Sequence, residues 1–165
     1  MKKPMAILLA VLMLCTFSIL TAGEMWYDMA NCEMCKPIAA SKGLMENMTW
    51  EQHKISNGVL STCAVKPQYL DAYQKADAAM QANGEKLMAG EKLQLCGSCE
   101  ALNMIFAKGL KYEKVETQNG GIVLFTSDNA EVVAEVHKWA DKNDKEMAKM
   151  MEAMGEKDPH AGHNH

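Results

Sequence analysis

The chain carries none of the patterns that mark a hydrolase, a nucleotide-binding fold or a zinc protease. There is no Ser/His/Asp arrangement, no phosphate-cradling glycine loop and no H-E-x-x-H helix. Its carboxylates scatter along polar helix faces as solvated charge, so no catalytic residue is assigned. Positive charge is not in surplus: 17 basic side chains face 21 acidic ones, a formal net charge of -4. That balance argues against nucleic acid as a partner, because such binding draws mainly on phosphate neutralisation. Beyond residue 20 there is also no apolar run long enough to cross a bilayer.

The one long apolar run is at the start. Lys2 and Lys3 precede Ala6 to Leu20, and the small residues Thr21 and Gly23 follow before Glu24. This is the layout of a secretory signal peptide over residues 1–23. A lipid anchor on Cys15 is disfavoured, because Leu14 is bulky and the apolar run continues past Cys15. The expectation is an exported protein, periplasmic or extracellular, with no membrane span after cleavage. It has one domain over residues 24–154 and a His-rich flexible tail over 155–165. Cleavage at Gly23 leaves 15 lysines against 21 acidic residues, so the mature chain is more acidic still.

Against these absences stands a duplication. Cys32-Glu33-Met34-Cys35 opens a helix-like stretch to Met48, then Trp50 to His53, Asn57-Gly58, Val59 to Cys63 and a second helix from Pro67. Cys96-Gly97-Ser98-Cys99 opens Glu100 to Leu110, then Tyr112 to Val115, Asn119-Gly120-Gly121, Ile122 to Thr126 and a helix from Ala130. The order of elements agrees throughout, which defines two repeats over about 29–80 and 93–145, with the last helix reaching about 154.

Local signals set the elements. Pro37 and Pro67 are tolerated only in the first turn of a helix, Ser98 is a natural N-cap, and Asp128 followed by Glu131 resembles a capping arrangement. Each thiol pair then has its first Cys on a loop and its second at a helix start. There the helix macrodipole favours thiolate. The two Asn-Gly steps, flanked by strand-like runs, predict tight hairpins needing positive φ. The region from Ala82 to Gly90 reads as the inter-repeat connection, and Lys92 to Leu95 as a short strand. The fold class is α+β: two αββα repeats sharing a four-stranded antiparallel sheet, with helices packed on it.

Cys-x-x-Cys at a helix start, a hairpin around glycine and a second helix rich in Val and Glu resemble the heavy-metal-associated domain of copper chaperones and transport ATPases. The likeness is strongest from Leu93 to Trp139 and looser from Met29 to Ala76. It implies a ferredoxin-like fold in which Cys32, Cys35, Cys96 and Cys99 correspond to the paired metal thiolates.

The residues themselves leave two chemistries open. Five cysteines follow residue 23, and in an oxidising compartment the bland reading is two short disulfides and one leftover thiol, Cys63. A disulfide closing so short a loop removes little chain entropy, which weakens a purely structural purpose. The favoured reading is a soft-metal site with Cys32, Cys35, Cys96 and Cys99 as primary ligands; a pseudo-twofold between repeats can bring equivalent loops together on one ion, but the sequence leaves open whether the two pairs meet. Four thiolates suit Zn(II), and two or three suit Cu(I).

Twelve of the 15 methionines lie beyond residue 23, and thioether sulfur ligates Cu(I), which places copper ahead of zinc. Met29 and Met34 flank the first pair as candidate extra donors. Cys63, His137 and the tail residues His160, His163 and His165 are further candidates. Against this, His137 one turn from Val133 suits a packed structural histidine, and the tail suits plain solvation. Met147, Met150, Met151 and Met154 share one face of the last helix, which fits a core or a docking partner protein. The predicted function is metal buffering or delivery. The alternative is a thiol-disulfide or disulfide-stabilised interaction module, thiol-disulfide exchange being the one credible activity.

Overall fold

The computed structural model describes residues 25–153. The expected signal peptide, Met154, His160, His163 and His165 lie outside the described residues. After a single helical turn, α1 (Lys36–Ala39), come β1 (Met48–Ile55), β2 (Gly58–Val65), α2 (Leu70–Met88), α3 (Gly97–Phe106), β3 (Lys111–Thr117), β4 (Gly120–Thr126) and α4 (Ala130–Ala153). This is the expected α+β class, with a four-stranded antiparallel sheet and helices packed against it. No helix among the described residues is long and apolar enough to cross a membrane.

The sheet order is β1-β2-β4-β3, so the two hairpins lie side by side and their second strands pair at the centre. The register obeys a twofold relation between the repeats. Ser61 pairs with Val123 at the midpoint, Gly58 with Thr126 at one end and Gly120 with Ala64 at the other. Outside the ladder, the Ser127 amide donates to Asn57 O, and the Val65 amide mirrors it by donating to Asn119 O. Read by this register, Cys63 corresponds to Phe125 and not, as expected, to Thr126.

Glycine at the two hairpin exits makes this central pairing close enough. A β-carbon on Gly58 (φ 157°) would lie 1.8 Å from Phe125 O, and one on Gly120 (φ 147°) 2.1 Å from Cys63 O. No L residue with a side chain fits there. The predicted positive-φ turns are therefore displaced. Asn57 and Asn119 precede the glycines in the turns without positive φ, and each glycine opens the outgoing strand.

Strand alternation sends Val59, Ser61, Val65 and Phe125 to the helix side. There Val59 and Phe125 join Ile105, Leu110, Val132, Val136, Trp139 and Ala140 in the larger core cluster. Phe125 meets Trp139 edge-on at 5.6 Å and Phe106 at 6.0 Å. Val65 joins Leu44, Tyr73 and Ala76 in a smaller cluster at the other end. Burial of these side chains is what fixes the helices on the sheet, at roughly 1.5–3 kcal/mol for each large apolar residue.

Several local expectations are corrected. The first helix does not run from Lys36 to Met48: it stops at Ala39, and the chain bends through Ser41–Gly43 so that Leu44 is fully buried. The stretch Ala82–Gly90 is not a connection, because α2 continues through Asn83-Gly84 to Met88. It ends in a Schellman motif, with Gly90 at φ 85°, the Gly90 amide on Leu87 O and the Glu91 amide on Lys86 O. Lys92–Leu95 forms no strand. At α4 the cap is Asn129, not Asp128: its Oδ1 accepts from the Glu131 amide.

Candidate metal centre

The two thiol pairs meet. The sulfurs of Cys32, Cys35, Cys96 and Cys99 all lie within 4.8 Å of one another. Cys35 Sγ is 3.6 Å from Cys99 Sγ and 3.9 Å from Cys96 Sγ, so these sulfur contacts cross between repeats. All four are free thiols. A tetrahedron with metal–sulfur arms of about 2.3 Å has sulfur–sulfur edges of about 3.8 Å, so the spacing matches ligation by four sulfurs and not disulfide bonding. The four cysteines could hold a metal ion.

Each pair is shaped by its own backbone. On the first loop, Cys32 O accepts from the amides of Cys35 (3.0 Å) and Lys36 (2.8 Å), while the Cys32 amide is tied to Asp28 O (2.9 Å). Cys35 is then the N-cap of the single-turn α1. On the second loop Cys96, not Ser98, is the N-cap of α3, and Cys99 lies within the first turn. The expected equivalence of placement is therefore offset by three residues, the spacing of the two cysteines in a pair. The macrodipole acts at the ten-residue α3, whereas α1 is too short to supply much.

Burial divides the four differently. Cys32 and Cys96 are only 1% and 2% exposed, whereas Cys35 and Cys99 are half-buried and form the outer edge. The loops are also sewn together beside the sulfurs: the Glu33 amide donates to Gln94 O (2.9 Å), and Asn83 Nδ2 to Glu33 O (2.7 Å).

Without a metal the four groups share protons unequally. The Cys35 thiol, with those of Cys96 and Cys99, hydrogen-bonds the Cys32 sulfur and holds it far below the ordinary thiol range. Cys96 is pushed up by Cys32, but Cys35 and Cys99 together lower it more, to about 6. Cys35 and Cys99 are both pushed up, first by Cys32. The backbone amide of Cys96 supports the Cys32 thiolate, and that of Cys99 the Cys96 thiolate. The deep pair ionises first and the outer pair keeps its protons, so an arriving divalent ion has two thiolates ready and two protons to displace.

Beneath α3 is a polar cluster that sequence patterns did not reveal. Asn143, 1% exposed on α4, accepts at Oδ1 from Ser98 Oγ (2.8 Å) and Trp26 Nε1 (2.9 Å) and donates to Gln52 Oε1 (3.1 Å). Trp139 Nε1 donates to Ser98 O at 3.1 Å. The Met25 and Trp26 carbonyls accept from the Gly97 and Ser98 amides, which satisfies two donors at the start of α3. Ser98 lies between Cys96 and Cys99, so this network fixes the turn that carries both sulfurs. Asn143 sits in a run of charged residues, and nothing in that run marks it as buried; Trp26 lies in a Trp-Tyr step ahead of the repeats that belongs to no motif.

The remaining candidates are placed elsewhere. Cys63 packs at the small cluster on β2, its thiol pushed up by burial, with Tyr73 hydrogen-bonded to it. His137 Nε2 lies 2.8 Å from Gly58 O and 3.0 Å from Ile55 O, so it braces the first hairpin. Met29 and Met34 are half-buried on the first loop, and Met147 and Met150 half-buried on α4. No family model, no curated protein and no solved structure matches this chain, so the functional reading rests on its own residues.

Proposed function

We propose that this protein is an exported carrier or buffer of a soft metal ion, held by Cys32, Cys35, Cys96 and Cys99. The observation that carries the reading is the convergence of two loops, far apart in sequence, on one group of four reduced sulfurs spanning at most 4.8 Å. Separate structural staples would not need to meet. Four thiolates in this spacing favour a tetrahedral d¹⁰ ion, with Zn(II) the better fit to the full set. Cu(I) is the second reading, supported by the half-buried Met29 and Met34 on the loop of the first pair. The layout resemblance to heavy-metal-associated domains and the signal-like start agree with both. The partly exposed Cys35–Cys99 edge is where an ion would enter or pass to an acceptor thiol.

The deciding experiment is metal analysis of reduced protein purified without added metal, alongside the variant with all four cysteines changed to serine. One zinc or copper per chain, absent from the variant, is expected. Folded, reduced wild type that retains neither ion, even after equilibration with each, defeats the reading.

A further inference from the structure

Two features of the centre set Cys35 and Cys99 apart from the other two thiols. They come from different repeats, and their sulfurs are 3.6 Å apart, closer than those of Cys35 and Cys96 at 3.9 Å. They are also the partly exposed members, whereas Cys32 and Cys96 are buried. A small oxidant approaching from solvent therefore meets this edge first. A disulfide needs a sulfur–sulfur separation of about 2.05 Å, so the two atoms must close by about 1.5 Å, within reach of side-chain rotation.

We propose that peroxide oxidises the centre at this edge, forming a Cys35–Cys99 disulfide between the repeats and ejecting the ion. The proposal rests on the metal reading above and adds a second activity to it: oxidant-triggered metal release. In the step, one thiolate sulfur attacks a peroxide oxygen, breaking the O–O bond and giving a sulfenic acid. The second sulfur displaces that hydroxyl, forming the S–S bond. The two sulfurs together lose two electrons and the peroxide gains them, leaving two waters. For a divalent ion on four thiolates the balance takes up four protons, two into the waters and two onto Cys32 and Cys96. Those two thiols alone cannot complete a tetrahedral site, so the ion leaves.

The sequence would lead one to expect the opposite pairing, within each Cys-x-x-Cys. The two outcomes separate cleanly. Trypsin cutting at Lys42, Lys92 and Lys108, with Lys36 protected by Pro37, leaves Cys32 and Cys35 on one peptide and Cys96 and Cys99 on another. A disulfide between repeats joins these peptides, and one within a pair does not.

The test takes full-length mature protein, loads it with zinc, counts the bound ion and titrates hydrogen peroxide in the presence of a chromogenic chelator. Remaining thiols are alkylated before digestion and mass spectrometry. The expected result is a joined peptide pair bridged at Cys35 and Cys99, with alkylated Cys32 and Cys96, and zinc released in step with the bridge. Disulfides confined to Cys32–Cys35 or Cys96–Cys99 overturn the proposal, as does zinc release with sulfinic acids and no bridge. If neither zinc nor copper(I) is bound at the outset, the metal reading fails instead. The same peroxide treatment of metal-free reduced protein then still decides which sulfurs pair.

Discussion

Replacing Asn143 with alanine tests whether the buried polar cluster holds the metal-binding turn in place. The side chain accepts from Ser98 and Trp26 and donates to Gln52, and its removal strands these partners in a site that is 1% exposed. Gln52 Nε2 is already the one buried side-chain nitrogen or oxygen among the described residues without a partner, so its amide has no alternative contact to fall back on. Each buried polar group left unpaired costs about 1–3 kcal/mol. Trp26 is only partly buried and can recover water, so a total of about 2–4 kcal/mol is expected. With a urea dependence of about 1–3 kcal/mol per molar, the unfolding midpoint should fall by about 1–2 M. Asn103→Ala, on the exposed surface of α3, should stay within about 0.5 kcal/mol. Because Ser98 lies between two ligands, Asn143→Ala should also weaken zinc binding by about 10–100-fold. Urea titration by circular dichroism and competition with a chelating dye measure the two effects. A midpoint indistinguishable from that of Asn103→Ala, with unchanged zinc affinity, would refute the reasoning.

The other expectations concern glycine, pH and the ion. Gly84→Ala, inside α2 with nothing within 4 Å of the new methyl, should raise thermal stability by about 0.5–1 kcal/mol, whereas Gly120→Ala should abolish cooperative unfolding by driving a methyl onto Cys63 O. In metal-free reduced protein the thiol of Cys96 is lowered from 9.0 to about 6, so its contribution is present above pH 9 and lost as pH falls through 6. The raised thiols of Cys35 and Cys99 act in the opposite sense above pH 9. Cys32, held lower still, adds to the same acid limb. Urea midpoints between pH 5 and 10, with reductant and chelator, should peak near pH 9, and Cys96→Ser should make the acid limb shallower without removing it; stability that rises on acidification contradicts this. Removing the ion should speed amide exchange more in residues 36–47 than in α4, because the first-repeat cluster has four buried residues against eight in the second. Hydrogen exchange of the zinc-loaded and metal-free forms reads this directly.

What could be seen in the sequence was what repeats. The two Cys-x-x-Cys elements, the Asn-Gly steps and the helices that start near Pro67 and Ala130 recur in order, and that recurrence yields the sheet; the meeting of the four sulfurs is set by the central strand pairing and needed the structure. What escaped was set by tertiary contact. Leu44 is fully buried only because α1 stops after one turn, a length that helix signals around Pro37 do not encode. Asn83-Gly84 looks like a break, yet α2 passes through it because Asn83 is held by Glu33 O and the true stop is Gly90. Ser98 looked like a cap by residue type, but its hydroxyl is turned inward to Asn143 and the cap position falls to Cys96. Single-position chemistry of this kind has no periodic signature, whereas a thiol pair at fixed spacing does.

The asymmetry between the repeats suggests why four ligands should be split two and two. The second repeat packs Phe125, Trp139 and Ile105 into a cluster that can hold α3 and α4 on the sheet without help. The first relies on Leu44, Val65, Tyr73 and Ala76, and its opening helix is one turn long with no buried residue. The loop bearing Cys32 and Cys35 is tied to α2 by the Asn83–Glu33 hydrogen bond and to the second repeat's loop by the Glu33–Gln94 hydrogen bond. An ion bound by both pairs supplies a further cross-link, since any ligand that binds only the folded state adds its binding free energy to folding. At a free ion concentration about 100 times its dissociation constant this amounts to about 2.7 kcal/mol, comparable with deleting one buried aliphatic side chain. If the four cysteines hold an ion as proposed, metal occupancy and the docking of the first loop are one equilibrium, and removal of the ion loosens the weaker half of the molecule.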